Sequence, residues 1–489
     1  MARDARRRSL LAGRNHPQPD QSFDAPDSVM LDIASLDLKG RRVLVTGALG
    51  KTGRAMADLL TTLGSVVYGT DRKTDGPLEG MIDVRPREDA DLLTEHQIEI
   101  VFVSPGVPLS GPLFARARDL GIPIIGDLDL GYLYLKKNAG NARIVAITGT
   151  DGKSTTTALI AHLLREAGIQ ALECGNYGLP FSAAVLQPTT VFVCECSSYQ
   201  LEDLHYFKPD VGLLLNIAPD HLDRYAGMAD YLRAKLNLFS LQEKEDFAVI
   251  GPVILTACRE LGIGADEFPG NMKSVLTEVG EDQPAARLGD TTIAWSEFAV
   301  NSETNRRNAA MALAGVDALL KRGVDGGYAA TAFYERVLRG LKSFRGLPHR
   351  QEIVIEREGV IFVNDSKATT VHAALSAVAS FPGKKVYLLL GGLDKNSDFS
   401  LFREDEGLRI YPFGKAADKI SEQTGVSRRF VGLEEAFYEA LREARRSTAY
   451  FGGSTQPDSV ILLSPACASQ DAYRNYEERG EHFRRLALQ

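Results

Sequence analysis

Cysteine is scarce in this sequence. Five residues in 489 (Cys174, Cys194, Cys196, Cys258 and Cys467) are few, odd in number and without metal-ligand spacing. That excludes a disulfide framework and fits a reduced, cytoplasmic setting. Cys194 and Cys196 alternate along an apolar run, the pattern of core packing rather than of a metal pair. Positive charge is also in deficit: 56 Lys and Arg face 64 Asp and Glu, a net −8. No basic stripe interleaved with aromatics offsets this, so nucleic acid is not the expected partner. No apolar run reaches the roughly 18 residues of a membrane span, and none is expected to insert. Residues 9–13 are too short for the apolar core of a signal peptide. Internal repeats and low-complexity tracts are missing as well.

What is present is an ordinary globular composition, 44% hydrophobic and 25% charged, in a chain too long for one core. About three domains are expected, all α/β. Residues 1–32 begin Arg-rich (Arg3, Arg6, Arg7, Arg8, Arg14), turn to Pro, Asp and Ser, and read as a disordered extension. Residues 33–141 read as a Rossmann-like domain with strands near 41–47, 65–69, 100–103 and 123–125. Gly47, Gly50 and Gly53 form G-x-x-G-x-x-G, near the dinucleotide fingerprint, and Asp71 stands where a ribose-binding acid would. Arg72 beside it suits an anionic phosphate equally well.

The centre of the chain is I-V-A-I-T-G-T-D-G-K-S-T-T-T at 144–157. A buried strand, a glycine turn, and then a lysine and hydroxyls at a helix start form a phosphate cradle. Gly149, Thr150, Asp151 and Gly152 make the turn, Lys153 would reach the β- and γ-phosphates, and Ser154 or Thr155 would hold Mg²⁺. One detail departs from the P-loop rule: six places before the lysine stands Ile147, not glycine. The domain built on this stretch is expected to span 142–340, a P-loop-type sheet. Glu195 ends a strand at 191–196, where ligands collect in open α/β sheets, and is placed to meet Mg²⁺. A strand at 211–217 runs into Asp220, His221 and Asp223, which read as a second metal or phosphate group. Lys235 lies three and four places from Tyr231, Leu232, Leu238 and Phe239, inside the apolar stripe of a helix at 228–241. Lysines so placed usually snorkel. A buried one loses its charge and can take up CO₂ as a carbamate, a carboxylate able to bind metal. Asn305 and Asn308 open a helix through 320 and could face an adenine.

Residues 341–489 read as a third, Rossmann-like α/β domain. Strands at 360–363, 386–390 and 460–463 end in loops bearing Asp365, Lys367 and Thr369, then Lys395, then Ser469. Charged and hydroxyl residues on separate strand ends define a second crevice.

Six ordered stretches (148–155, 195–202, 220–225, 346–350, 364–369, and 463–469 with 475–480) resemble the Mur ligase family, from about residue 38 to the C-terminus. The resemblance implies an ATP-dependent amide ligase of peptidoglycan precursor synthesis, acting as a monomer. It would add D-glutamate to UDP-N-acetylmuramoyl-L-alanine through an acyl phosphate. It assigns Lys153, Glu195, His221 and Lys235 to catalysis, with Ser154, Glu195, His221 and a carbamylated Lys235 holding two Mg²⁺. It puts Asn305, Asn308, Arg350 and Asp365 with the phosphate loop around ATP. Lys51, Thr52, Arg72, Ser104 and Gly106 would hold the uridine diphosphate, and Asn176 the muramoyl peptide. Lys367, Thr369, Lys395, Ser469 and Tyr476 would surround the incoming amino acid. The sequence departs from the family pattern at Asp151 (Asn is usual), Tyr199 and Tyr476 (Phe), and Thr304 (His). Another Mur ligase, or a folylpolyglutamate synthase-like enzyme, would keep the ATP chemistry. An NAD-dependent oxidoreductase would leave the phosphate loop idle, and a regulatory P-loop ATPase would need no amine.

Overall fold

The computed structural model describes residues 37–72, 80–82, 84–86, 89–138, 140–221, 224–264, 285–298, 300, 302–450 and 458–489. The extension at 1–32 and Asp223 lie outside these residues.

Three five-stranded sheets follow one another along the chain. The first contains β1 (Arg42–Thr46), β2 (Val66–Asp71), β3 (Val84–Pro86), β4 (Ile100–Val103) and β5 (Ile124–Gly126) in the order β3-β2-β1-β4-β5. The second contains β6 (Arg143–Thr148), β7 (Ala171–Gly175), β8 (Val191–Glu195), β9 (Val211–Leu214) and β10 (Phe247–Ile250) in the order β10-β9-β6-β8-β7. A small antiparallel ribbon, β11 (Ala285–Leu288) with β12 (Thr291–Ala294), is appended to this part of the chain. The last sheet is formed by β13 (Glu352–Arg357), β14 (Val360–Asn364), β15 (Lys385–Gly391), β16 (Leu408–Phe413) and β17 (Ser459–Leu463) in the order β13-β14-β17-β15-β16. The first two sheets are wholly parallel, and in the third only β13 runs antiparallel.

Central strands such as β6 and β17 are buried along nearly their whole length. This is what helices on both faces demand, and it is why they read as unbroken apolar runs. In the second sheet β6 sits between β9 and β8, so chain order reverses there and a crevice opens beyond its carboxyl end. The helix Asp127–Asn138 ties the first sheet to the second. Its buried Asp127 accepts from Phe181 N and Ser182 N (both 3.1 Å), and buried Asp129 accepts from His205, Tyr206 and Phe207 N. No helix among the described residues is long and apolar enough to cross a membrane.

The helix after the phosphate loop starts at Lys153, as read from the sequence, because Gly152 in the left-handed region (φ +80°) turns the chain directly into it. Two element boundaries differ from the sequence reading. Strand β9 ends at Leu214 rather than near 217, because Asn216 is diverted to the phosphate loop: its Oδ1 accepts from Thr150 N and Asp151 N. The helix expected to reach 241 stops at Leu236 and tightens into a 3₁₀ turn, Asn237–Phe239.

Candidate functional site

The phosphate loop occupies the crevice above β6. Gly152 is obligatory there: a Cβ would meet Asn308 Oδ1 at 2.3 Å, in a conformation that L side chains rarely adopt. Lys153 folds back on the loop, donating to Gly149 O (2.9 Å) and Thr150 O (2.7 Å). Ser154 Oγ donates to Glu195 Oε2 in a short contact, and Asn176 Nδ2 donates to Glu195 Oε1 at 2.6 Å. Glu195 is only 2% exposed, and its hydrogen-bond partners are neutral. A buried carboxylate beside a hydroxyl, without an ion pair among the described residues, is a hard-oxygen set suited to Mg²⁺. Among the described residues no three His, Cys, Asp or Glu side chains converge as a metal cluster, so protein carboxylates and imidazoles alone do not complete a cage.

Lys235 is 1% exposed and does not snorkel. Its Nζ donates to Gly149 O at 2.8 Å, the carbonyl that Lys153 also uses, and lies 4.4 Å from the Tyr231 ring centroid. Burial, and then the neighbouring Lys153 charge, pull its pKa down to about 7. Tyr231 packs on the phosphate loop through Thr150 Oγ1 (3.3 Å). His221 sits in the left-handed region (φ +55°), its Nδ1 2.8 Å from Tyr199 Oη and its Nε2 3.4 Å from Asp220 Oδ2. The Tyr199 hydroxyl makes a contact that phenylalanine could not.

The third sheet closes over this loop. A cavity of about 360 Å³ is lined from one side by residues 150–155, Asn176, Glu195, Asn305 and Asn308. From the other side it is lined by Arg350, Asp365, Lys367, Thr369 and Tyr476. Its volume is within the range of small-ligand sites. Arg350 Nη2 donates to Ser154 Oγ across the crevice at 2.8 Å. Asp365 accepts from Ser464 Oγ (2.7 Å) and Gln351 N (3.1 Å), and burial lifts its pKa to about 7. Lys367 Nζ stands 4.2 Å over the Tyr476 ring, so tyrosine supplies the face that phenylalanine would.

Asp151, the departure within the phosphate loop, faces His372 Nδ1 at 3.2 Å, on the helix Val371–Ala379 that follows β14 of the third sheet. Burial would raise the Asp151 carboxyl, but the hydrogen bond and charge of His372 outweigh it and hold it low. The same hydrogen bond raises the imidazole. The pair therefore persists between the depressed aspartate pKa and the raised histidine pKa, and is lost as pH rises through the latter. Titrating the His372 ring by NMR should show a pKa above 6.5 that falls in Asp151→Asn.

Several expected residues lie outside this cavity. Lys51 Nζ donates to Gly178 O at 2.5 Å, linking the helix after β1 to the loop after β7. Thr52 follows Lys51 in the helix Lys51–Thr62, and Arg72 lies exposed at the end of β2. Asp71 accepts from Leu49 N (2.9 Å) and Arg72 N (2.7 Å), bracing the glycine turn. Ser104 and Gly106 edge a shallow cleft of about 30 Å³ whose far wall is Tyr199, Glu202 and Arg224. Lys395 is exposed, while Ser469 is buried with its Oγ lacking a partner among the described residues. Cys174, Cys194 and Cys196 are core residues behind β7 and β8. The sequence reading missed Asn216, Tyr231 and His372; strand-end and helix-start positions beside the loop were the available signal.

The Mur ligase middle domain profile matches residues 147–255. UDP-N-acetylmuramoylalanine–D-glutamate ligase of Anaeromyxobacter dehalogenans is 37% identical over 94% of this chain and 99% of its own. The enzyme of the same name from Alkaliphilus metalliredigens is 34% identical over 92% and 98%. Among solved structures, UDP-N-acetylmuramate–alanine ligase of Thermotoga maritima superposes with a TM-score of 0.50 at 19% identity, covering 91% of this chain and 99% of that one. The MurF ligase of the same organism, solved with ADP, gives 0.50 at 16% over 94% and 100%. These two share the fold. On the near-full-length identity to the D-glutamate-adding enzymes, the chain belongs to the Mur ligase family.

Proposed function

We propose that this chain adds D-glutamate to UDP-N-acetylmuramoyl-L-alanine at the expense of ATP, as the names of its relatives describe. The observation that carries the reading is the cavity between the phosphate loop and the third sheet, spanned by Arg350 and Ser154. ATP would lie with its phosphates on residues 149–155 and its nucleoside between Asn305, Asn308 and Asp365. The alanyl carboxylate attacks the γ-phosphorus, giving an acyl phosphate and ADP. The amine of D-glutamate then attacks the acyl carbon, phosphate leaves, and the nitrogen gives up a proton. Lys153 and Arg350 offset charge on the transferring phosphoryl group. Ser154 and Glu195 would hold Mg²⁺, which screens the phosphate charges. A carbamate on Lys235, together with His221, would hold a second ion. Residues 33–141, with Arg72, Ser104 and Gly106, would seat the uridine diphosphate. We further propose a monomer in the cytoplasm, where its five free thiols would stay reduced.

The test is ADP release with UDP-N-acetylmuramoyl-L-alanine and a panel of amino acids. D-Glutamate should give the strongest response; equal release without any amine would defeat the reading. Lys395 is assigned to the side-chain carboxylate of D-glutamate. Lys395→Ala should raise the KM for D-glutamate about tenfold or more, the value of one charge-assisted contact, and leave that for ATP nearly unchanged. A change in the ATP constant alone would remove Lys395 from the amino-acid site.

A further inference from the structure

The helix Tyr476–Leu488 carries a cation in an apolar position. Its buried face runs Arg479, Phe483, Leu486 and Ala487, and Arg479 is 0% exposed. Arginine is almost never fully buried unless paired, yet among the described residues no carboxylate lies within ion-pair distance of this one. Its charge is met instead by oxygen dipoles. Nε donates to Ser366 Oγ (3.0 Å), Nη2 to Ser366 O (2.8 Å) and Cys467 O (3.1 Å), and Nη1 to Cys467 O (3.1 Å) and Ala468 O (3.2 Å). Burial draws its pKa down to about 10, which still leaves it charged at neutral pH.

These acceptors belong to the loops that leave β14 and β17. A third loop joins them, because Ala468 exchanges two backbone hydrogen bonds with Leu393, just beyond β15 (2.8 and 3.0 Å). Gly392 makes room: a Cβ there would meet Ala468 O at 2.4 Å and Arg479 Nη1 at 2.9 Å. One planar fork thus joins the segments that carry Lys367 and Thr369 and Ser469, and the Ala468–Leu393 pair attaches to them the segment that carries Lys395. Ser366 extends the tie by donating to Tyr476 O at 2.8 Å. A single donor could not hold both loops; the five N–H groups of a guanidinium can.

We infer that Arg479 is a positioning residue for the amino-acid end of the site, locking three loops in one register and so fixing the spacing of the groups that receive a dicarboxylate amino acid. This deepens the ligation reading above and rests on it. Two carboxylates must be met at once, so a small loop displacement costs binding of the amino acid before it costs binding of ATP.

The experiment measures separate KM values for D-glutamate and ATP in Arg479→Lys, with wild type run first. Lysine keeps the charge but loses the fork. The KM for D-glutamate should rise tenfold or more while that for ATP stays within threefold. Unchanged constants in a folded variant, or equal rises in both, would overturn the inference. If Arg479→Lys does not fold, Ser366→Ala decides, since it removes only the Nε acceptor and the Tyr476 tie. A threefold or larger rise in the D-glutamate KM alone supports the role, and no selective change refutes it. If wild type responds to another amino acid instead, the D-glutamate reading fails by itself, and the KM for that amino acid becomes the readout for Arg479.

Discussion

Lys153→Ala is expected to lower turnover about a hundred- to a thousandfold, the cost of removing one preorganised charge contact from a transferring group. The prediction follows from where the side chain begins and what holds it. Lys153 is the first residue of its helix, after a left-handed glycine, so its ammonium shares the loop with the helix N-terminus. Its two partners are the carbonyls of Gly149 and Thr150, weak tethers that a phosphate would outcompete. Burial already draws its pKa downward, so the charge is poorly solvated and an anion there gains accordingly. Alanine at the first helical position is well tolerated, so the unfolding midpoint should move little. Single-turnover ADP formation together with a denaturation curve separates the two effects. Activity within threefold of wild type would remove Lys153 from the phosphate site.

Lys235→Ala should nearly abolish turnover, and here charge sign decides between two accounts. A cation that merely fills space would be replaced with little loss by arginine. A carbamate would not, because arginine keeps its proton and cannot take up CO₂. The structure favours a lysine that is readily neutral: burial draws its pKa down to about 7, so the free amine is accessible near neutral pH. The sign of the linkage follows. Between about 7 and the ordinary lysine pKa the unfolded chain binds a proton that the folded one does not, so this residue's contribution to stability rises with pH. Activity that depends on added bicarbonate should rise as pH passes through about 7, where the folded-state amine deprotonates. Acetate or formate, supplied to Lys235→Ala, should restore part of the rate by offering two oxygens in the vacated space. Chloride at equal ionic strength should not. A fully active Lys235→Arg enzyme would refute the carbamate.

Much of this site was legible in one dimension because its parts are local. A strand that must be buried on both faces reads as an apolar run, and a helix start bearing glycine, lysine and hydroxyls reads as a phosphate cradle. Lys235 was singled out by helical spacing, since its neighbours three and four places away are apolar and share its face, but spacing by itself favoured snorkelling. Arg479 follows the same rule, four places before Phe483, and could have been noticed in the same way.

By itself, then, the sequence determined the α/β class, the position of the phosphate loop and the chemical types gathered at the strand ends. These depend on hydrogen bonds and faces set within a few residues. Tertiary structure alone decided which distant groups meet. It paired Asp151 with His372, laid Arg350 on Ser154, turned Asn216 into the loop, tied the loops after β14 and β17 through Arg479 and left Lys395 exposed. No local spacing encodes such pairs. They form only after long loops close and whole faces pack, where the gain comes from the assembled core and not from the residues that come to touch.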